Sequence, residues 1–245
     1  MRSFALTDKG LVRSHNEDYY YVSDTPIGKL PNLYIIADGM GGHKAGDIAS
    51  KKAIQHMVEN VEENSDWDVV YSLEHAIRVA NRAIFDAGEH NLDQKGMGTT
   101  LVACVIKDDT LFVTNVGDSR LYVYADDLEQ VTLDHSVVEE LYRAGHISEE
   151  DRYNHPNKNM ITRALGAENE VKVDRFVRAL NKSDLILLCS DGLNKMLTDD
   201  EVRIIMKQAT TIEDKGYALM KASLDKGGID NTTLIIIGNG NEVQS

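Results

Sequence analysis

The sequence predicts an α+β fold built on antiparallel sheets, and three observations carry that expectation. Short apolar runs recur with turn signals between them, the pattern of many strands in antiparallel sheets. Strand-like and helix-like segments come in blocks, not in strict alternation, which disfavours a parallel doubly wound sheet. The helix-like segments show an apolar inner face, so two sheets packed face to face with helices outside would bury all of these runs.

In chain order, strands are expected near residues 2 to 7, 18 to 23, 33 to 37, 99 to 106, 110 to 116, 120 to 124, 128 to 131, 171 to 178, 184 to 189 and 232 to 238. Tyr19-Tyr20-Tyr21 alternates along the second of these and reads as packing. The fourth and fifth flank Lys107-Asp108-Asp109, which predicts a hairpin. Trp67, Val70, Leu73, Ile77, Ala80, Ile84 and Ala87 recur at helical spacing, with Ser65 or Asp66 as N-cap. Thr198 before Asp199, Asp200 and Glu201 marks another helix start, with Val202, Ile205, Met206 and Ala209 inside. Further helices fit 46 to 62, 135 to 144 and 213 to 226, and the histidines of the expected helices, such as His56, His75 and His90, read as surface or packing residues. With no internal repeat, no low-complexity tract and only 3 prolines, the chain reads as one domain over 1–240 with a mobile tail at 241–245.

Hydrophobic residues at 42% and charged residues at 27% of 245 place the chain among ordinary globular proteins. Runs such as LYIIA at 33 to 37 fall far below the roughly 18 residues of a membrane span. Met1-Arg2-Ser3-Phe4-Ala5 lacks the apolar core of a signal peptide, and Cys104 and Cys189 read as buried free thiols. A cytoplasmic monomer that engages no membrane is expected. The formal net charge of -14 also argues against a nucleic-acid partner, which would need clustered Lys and Arg. Carboxylates gathered at one place would repel one another unless a cation sat among them, and a bound divalent metal would serve.

Four aspartates, Asp38, Asp118, Asp191 and Asp230, each sit where an apolar run meets small or glycine residues, in IIADGMGG, TNVGDSR, LLCSDGL and GIDNTTLIII. Strand ends of this kind can place oxygens around one point, and a sharp turn after Asp38 would expose the Gly39 carbonyl as a further ligand. Oxygen ligands without a His or Cys cluster point to Mg2+ or Mn2+ instead of Zn2+. Asp191 and Asp230 are expected at the same end of adjacent strands. Arg13-Ser14-His15-Asn16-Glu17-Asp18 adds a cation beside two more acids, and the planar guanidinium of Arg13 can take two phosphate oxygens in a fork. These features describe a metal-dependent enzyme that handles phosphate.

RSHNED at 13 to 18, DGMGGH at 38 to 43, GTT at 98 to 100, GDSR at 117 to 120, TRALG at 162 to 166, SDGL at 190 to 193 and DN at 230 to 231 follow in that order. The ordered set resembles the metal-dependent PP2C (PPM) serine/threonine protein phosphatases in their compact bacterial form. The resemblance implies an antiparallel β-sandwich of two sheets flanked on both sides by α-helices, with the site at one end. It implies that Asp38 bridges two Mn2+ or Mg2+ ions, that the Gly39 carbonyl binds one of them, and that Asp191 and Asp230 hold the other. Glu17 and Asp18 would act mostly through metal-bound water, Asp118 with Asp191 would form a third, weaker metal position, and Arg13 would hold the substrate phosphate. A hydroxide bridging two ions would attack phosphoserine or phosphothreonine in protein substrates, opposing a bacterial Ser/Thr kinase that is itself among those substrates.

The group that protonates the leaving alkoxide stays open. His43 is the nearest candidate, but eukaryotic relatives carry their His directly after the DG, where this chain has Met40, and metal-bound water is the alternative. Gly98-Thr99-Thr100 reads as a strand start and Ser119-Arg120 as a buttress for Asp118. Ala144 to Lys158 resembles the family's flap, a mobile surface element beside the site. Two other readings share these residues: a catalytically silent binding module, and a two-metal hydrolase of nucleotides or small phosphates.

Overall fold

The computed structural model describes residues 1–42, 45–63 and 68–238. Within them the apolar runs form two antiparallel sheets. The first takes β1 (Arg2–Asp8), β11 (Thr232–Gly238), β10 (Leu185–Cys189), β7 (Arg120–Tyr124) and β8 (Leu128–Gln130) in that spatial order. The second takes β2 (Asp18–Ser23), β3 (Leu33–Met40), β5 (Leu101–Lys107), β6 (Thr110–Val116) and β9 (Asp174–Ala179), with the short β4 (Gly98–Thr99) on β3. Helices α1 (Ala45–Glu63) and α2 (Val69–His90) cover the second sheet, and α5 (Asp191–Met196), α6 (Asp199–Gln208) and α7 (Ile212–Asp225) cover the first. Two short helices, α3 (Val137–Arg143) and α4 (Glu149–Asn154), belong to the segment between β8 and β9.

Period-two alternation sorts each strand between two cores. Tyr34, Ile36, Val102 and Cys104 meet Leu121, Val123, Ile186, Leu188, Ile235 and Ile237 between the sheets. Leu33, Ile35 and Ala37 turn the other way, onto Ala53, Met57 and Ile77 of the helices. On the far side Leu187, Cys189, Leu234 and Ile236 pack against Leu193, Val202, Met206 and Leu219. Strands buried on both faces need apolar side chains at every position, which is why LILLC and LIII are unbroken runs. The result is the expected helix–sheet–sheet–helix order.

The hairpin at Lys107↔Thr110 closes through Asp108 (φ 51°) and Asp109 (φ 55°), the two left-handed residues of a type I′ turn. Thr198 caps α6 in a reciprocal capping box with Glu201. Both cysteines are buried free thiols. No described helix is long and apolar enough to cross a membrane.

Three local expectations are corrected. The long helix α2 begins at Val69 with Asp68 as its cap, whose carboxylate accepts from the Tyr71 amide; Ser65, Asp66 and Trp67 lie outside the described residues, as do His43 and 239–245. The strand expected at 171 to 178 starts only at Asp174, because Val171 and Val173 pack into the helical core and the Val171 carbonyl accepts from Arg78. The strand expected to end at residue 37 runs on to Met40, since β4 supplies partners in Gly39↔Thr99 and Met40↔Gly98. The segment from Ala144 to Lys158 contains α4, held by a capping box between Ser148 and Asp151 and tied to α3 by Arg152–Glu139 at 3.1 Å.

Candidate active site

Antiparallel connection carries alternate strand ends to the same edge of the sandwich. The start of β2, the end of β3, the β6–β7 turn, the end of β10 and the start of β11 meet there. Asp18 is the direct register partner of Asp38, and the Ser190 amide donates to the Thr233 carbonyl at 3.0 Å. A cavity of about 340 Å³ results, lined by Arg13, Glu17, Asp38, Gly39, Asp118, Asp191, Lys195 and Asp230, with Thr100, Asn159 and Asn231 among the rest of its wall.

Each acid is held by its own surroundings. The Asp38 amide donates to Thr100 Oγ1 at 3.1 Å and its carbonyl accepts from Thr99 Oγ1 at 2.9 Å, so the GTT segment clamps the backbone that presents this carboxylate. Gly39 is required for close approach and not for a turn. Its amide donates to the Glu17 carbonyl at 3.1 Å, and a Cβ there would lie 2.7 Å from that oxygen and nearer still to the Gly46 carbonyl. Asp118 follows Gly117 (φ 107°), whose amide donates to His135 Nδ1 at 2.9 Å. Ser119 Oγ meets Thr100 Oγ1 at 2.8 Å, and Arg120 forks onto Asp134, so the two residues after Asp118 are fixed by partners other than Asp118 itself.

Asp191 is the first residue of α5, whose Ser190 makes no side-chain cap; its hydroxyl donates instead to Asp18 Oδ2 at 2.7 Å. Thr233 Oγ1 donates to the same oxygen at 2.7 Å. Asp18 is therefore buried beside the cavity and not on its wall. Asp230 carries the fork of Arg13, with Nε at 2.8 Å from Oδ1 and Nη2 at 3.0 Å from Oδ2. The side chain expected to hold phosphate thus rests on a carboxylate.

Three wall or support residues were given no role from sequence. Lys195 places Nζ 2.5 Å from Asp191 Oδ2 and 2.6 Å from Asp230 Oδ2. Its signal is the i, i+4 spacing from Asp191 on one helix. Asn231 fastens the N-terminal loop: Oδ1 accepts from the Glu17 amide and Nδ2 donates to the carbonyls of Lys9 and His15, all at 2.9 Å. Asn159, immediately after the flap segment, lines the cavity, and no local pattern marks it.

Burial dominates the electrostatics. It pushes Asp18 up to about 7 and Asp118 up to about 8, with neighbouring carboxylates adding to the effect, and raises Asp38 and Asp191 as well. Asp230 goes the other way, because Lys195 and Arg13 outweigh its burial. Glu17 Oε1, Asp18 Oδ1 and Asp191 Oδ1 are buried without a hydrogen-bond partner among the described residues. Those same residues include no trio of His, Cys, Asp or Glu side chains gathered closely enough to hold an ion as placed. Lys195 and Arg13 draw Asp191 and Asp230 onto nitrogen instead.

A family model described as Protein phosphatase 2C matches residues 12–226. The chain belongs to that family. A serine/threonine phosphatase, stp, of Listeria innocua is 41% identical over 241 residues, covering 94% of this chain and 93% of the relative. The crystal structure of the Mycobacterium tuberculosis serine/threonine phosphatase PstP/Ppp superposes with a TM-score of 0.87 at 35% identity, covering 96% and 97% of the two chains. A structure of the PstP catalytic domain in complex with two manganese ions gives a TM-score of 0.85 at 33% identity, covering 96% of each chain. As a member of the family, the chain is a protein-serine/threonine phosphatase, and the sandwich with helices on both faces is the fold of these relatives.

Proposed function

We propose that the chain removes phosphate from phosphoserine and phosphothreonine in proteins with the help of two Mn2+ or Mg2+ ions in the acidic cavity. The supporting observation is the set of buried carboxylate oxygens at Glu17, Asp18 and Asp191 without partners among the described residues, beside Asp38 and Asp118 with raised pKa values. An all-oxygen donor set of this kind suits hard divalent ions. Asp38 and the Gly39 carbonyl would hold one ion, Asp191 and Asp230 the other. Asp118 with Asp191 would serve a third, weaker ion. Glu17 and Asp18 would orient water around them. When bound, such ions activate a shared water for in-line attack on phosphorus and neutralise charge on the phosphoryl group.

The chain's own residues supply the rest. Asp38 is fixed through its backbone by Thr99 and Thr100, so the main chain that presents its carboxylate is held in place. Arg13 sits at the rim, half-exposed, within a fork's reach of Asp230, and exchanges that carboxylate for two phosphate oxygens when substrate arrives. The leaving alkoxide is protonated by water or by His43, which lies outside the described residues. Residues 1–240 form the catalytic unit, a cytoplasmic monomer. Its substrates are phosphorylated proteins, among them the Ser/Thr kinase it opposes, and neither nucleic acid nor membrane is a partner. Assays of the purified protein with Mn2+ on a phosphothreonine peptide, a small aryl phosphate and nucleotides test this. Turnover of the peptide is expected; turnover confined to nucleotides would overturn the substrate assignment.

A further inference from the structure

We infer that Lys195 is a tethered counter-cation: in the metal-free protein its ammonium holds the position between Asp191 and Asp230 that an ion would take, and metal binding there requires it to swing aside. This rests on the metal reading above. Its geometric basis is the double contact of Nζ, at 2.5 Å from Asp191 and 2.6 Å from Asp230. Those are the two side chains assigned to one ion, and Lys195 is largely buried with them. A divalent ion and an ammonium cannot share two carboxylate oxygens at such distances, because their repulsion in a partly dry site far exceeds its value in water.

Arg13 also touches Asp230, but from the open rim, where leaving costs little. Lys195 starts one turn along α5 from Asp191 and carries its charge on a flexible four-carbon stem, so it can leave without moving the helix. A second cavity of about 260 Å³ shares Lys195, Asp118 and Asp191 with the first and is further lined by Asp134 and Asn194. That wall also carries Arg120, Arg152 and Lys158, and Asp134 is already held by Arg120, so rotation into this cavity brings the ammonium to Asp118. The two ion positions are therefore unequal. The one at Asp191 and Asp230 fills against a resident charge, whereas among the described residues no ion pair falls on Asp38. The displaced ammonium and a third, weaker ion would then compete for Asp118.

Isothermal titration calorimetry with Mn2+ alone, on wild type, Lys195→Met and Lys195→Arg, tests this without any turnover measurement. Lys195→Met should bind one of its ions about tenfold tighter or more, with the other unchanged, and its metal-free form should melt several degrees lower than wild type. Lys195→Arg keeps the charge and should stay close to wild type; Lys195→Gln repeats the neutral test should the methionine variant not fold. Neutral variants whose affinities equal or fall below wild type at every ion would overturn the inference while leaving the metal reading standing. A wild-type chain that takes up no Mn2+ would overturn both.

Discussion

Replacing Asp118 by Asn should change how stability depends on pH, and the sign and size can be worked out. In the metal-free protein burial, then the charges of Asp191 and Asp134, push the Asp118 carboxyl from 3.8 to about 8. Between those values the native state holds a proton that the unfolded chain has released. Stability contributed by this group is therefore complete below about pH 4 and declines as pH rises through about 8. Each pH unit inside the window corresponds to about 1.4 kcal/mol, so the ceiling between about pH 5 and about pH 8 is about 4 kcal/mol. The rise to about 8 already includes the opposing charge of Lys195, but Asp191 can take up a proton in place of Asp118, which leaves about 1 kcal/mol as the least expected. Asparagine keeps the shape and has nothing to titrate. In EDTA, the urea stability of Asp118→Asn minus that of wild type should move by about 1–4 kcal/mol in favour of the variant across that range. A difference that stays flat, or moves against the variant, would refute the claim that Asp118 is forced to hold a proton.

Asp38→Ala and Asp191→Ala should each abolish turnover of a phosphothreonine peptide while the far-ultraviolet circular dichroism stays native; near-normal rates in either would remove that residue from the machinery. Arg13→Ala should raise KM for the peptide about tenfold with a smaller fall in kcat, since it removes a charge-assisted fork to phosphate, and steady-state kinetics decide. Asn231→Ala strands the Glu17 amide and the carbonyls of Lys9 and His15, and should lower the urea-derived stability by about 2–3 kcal/mol. A loss much below 1 kcal/mol would mean that water replaces all three bonds.

Much of the scaffold was legible because its strands are buried on both faces: LILLC, LIII and LYIIA cannot alternate with polar residues and stand out against their turns. The acids Asp38, Asp118, Asp191 and Asp230 were legible for the same reason, each marking where such a run stops. What escaped depends on residues distant in the chain. Strand β3 continues past Asp38 because Gly98 and Thr99 pair with it, and a DG dipeptide read alone signals a turn. Helices α4 and α5 span six residues each, under two turns, too few for a 3.6-residue period to show. The spacing of Lys195 from Asp191 is local, but its second partner, Asp230, arrives by way of β11. Asp18 lies under hydroxyls from Ser190, at the head of α5, and Thr233, on β11 of the opposite sheet, and no neighbouring residue could disclose that.

Asp134 and Asp118 lie at neighbouring points of the same wall and show why the cavity reads as functional and not merely acidic. Asp134 is met by the Arg120 guanidinium at 2.7 and 3.0 Å and by Gln130 at 2.9 Å, a buried charge answered by a fork and a further donor. That is how a structural carboxylate is compensated. Asp118 is buried against the charge of Asp191, with the remote charge of Lys195 and its own backbone amide as weak compensation, and it responds by rising to about 8. Five acids on the cavity wall, Glu17, Asp38, Asp118, Asp191 and Asp230, share two cations, Arg13 and Lys195. An interior selected for stability alone would neutralise or remove the excess, because an uncompensated buried carboxylate costs several kcal/mol. Retaining it makes sense when a mobile cation completes the balance, so metal affinity and the instability of the metal-free cavity share one origin. A change that relieves the repulsion should therefore stabilise the metal-free protein and weaken ion binding together.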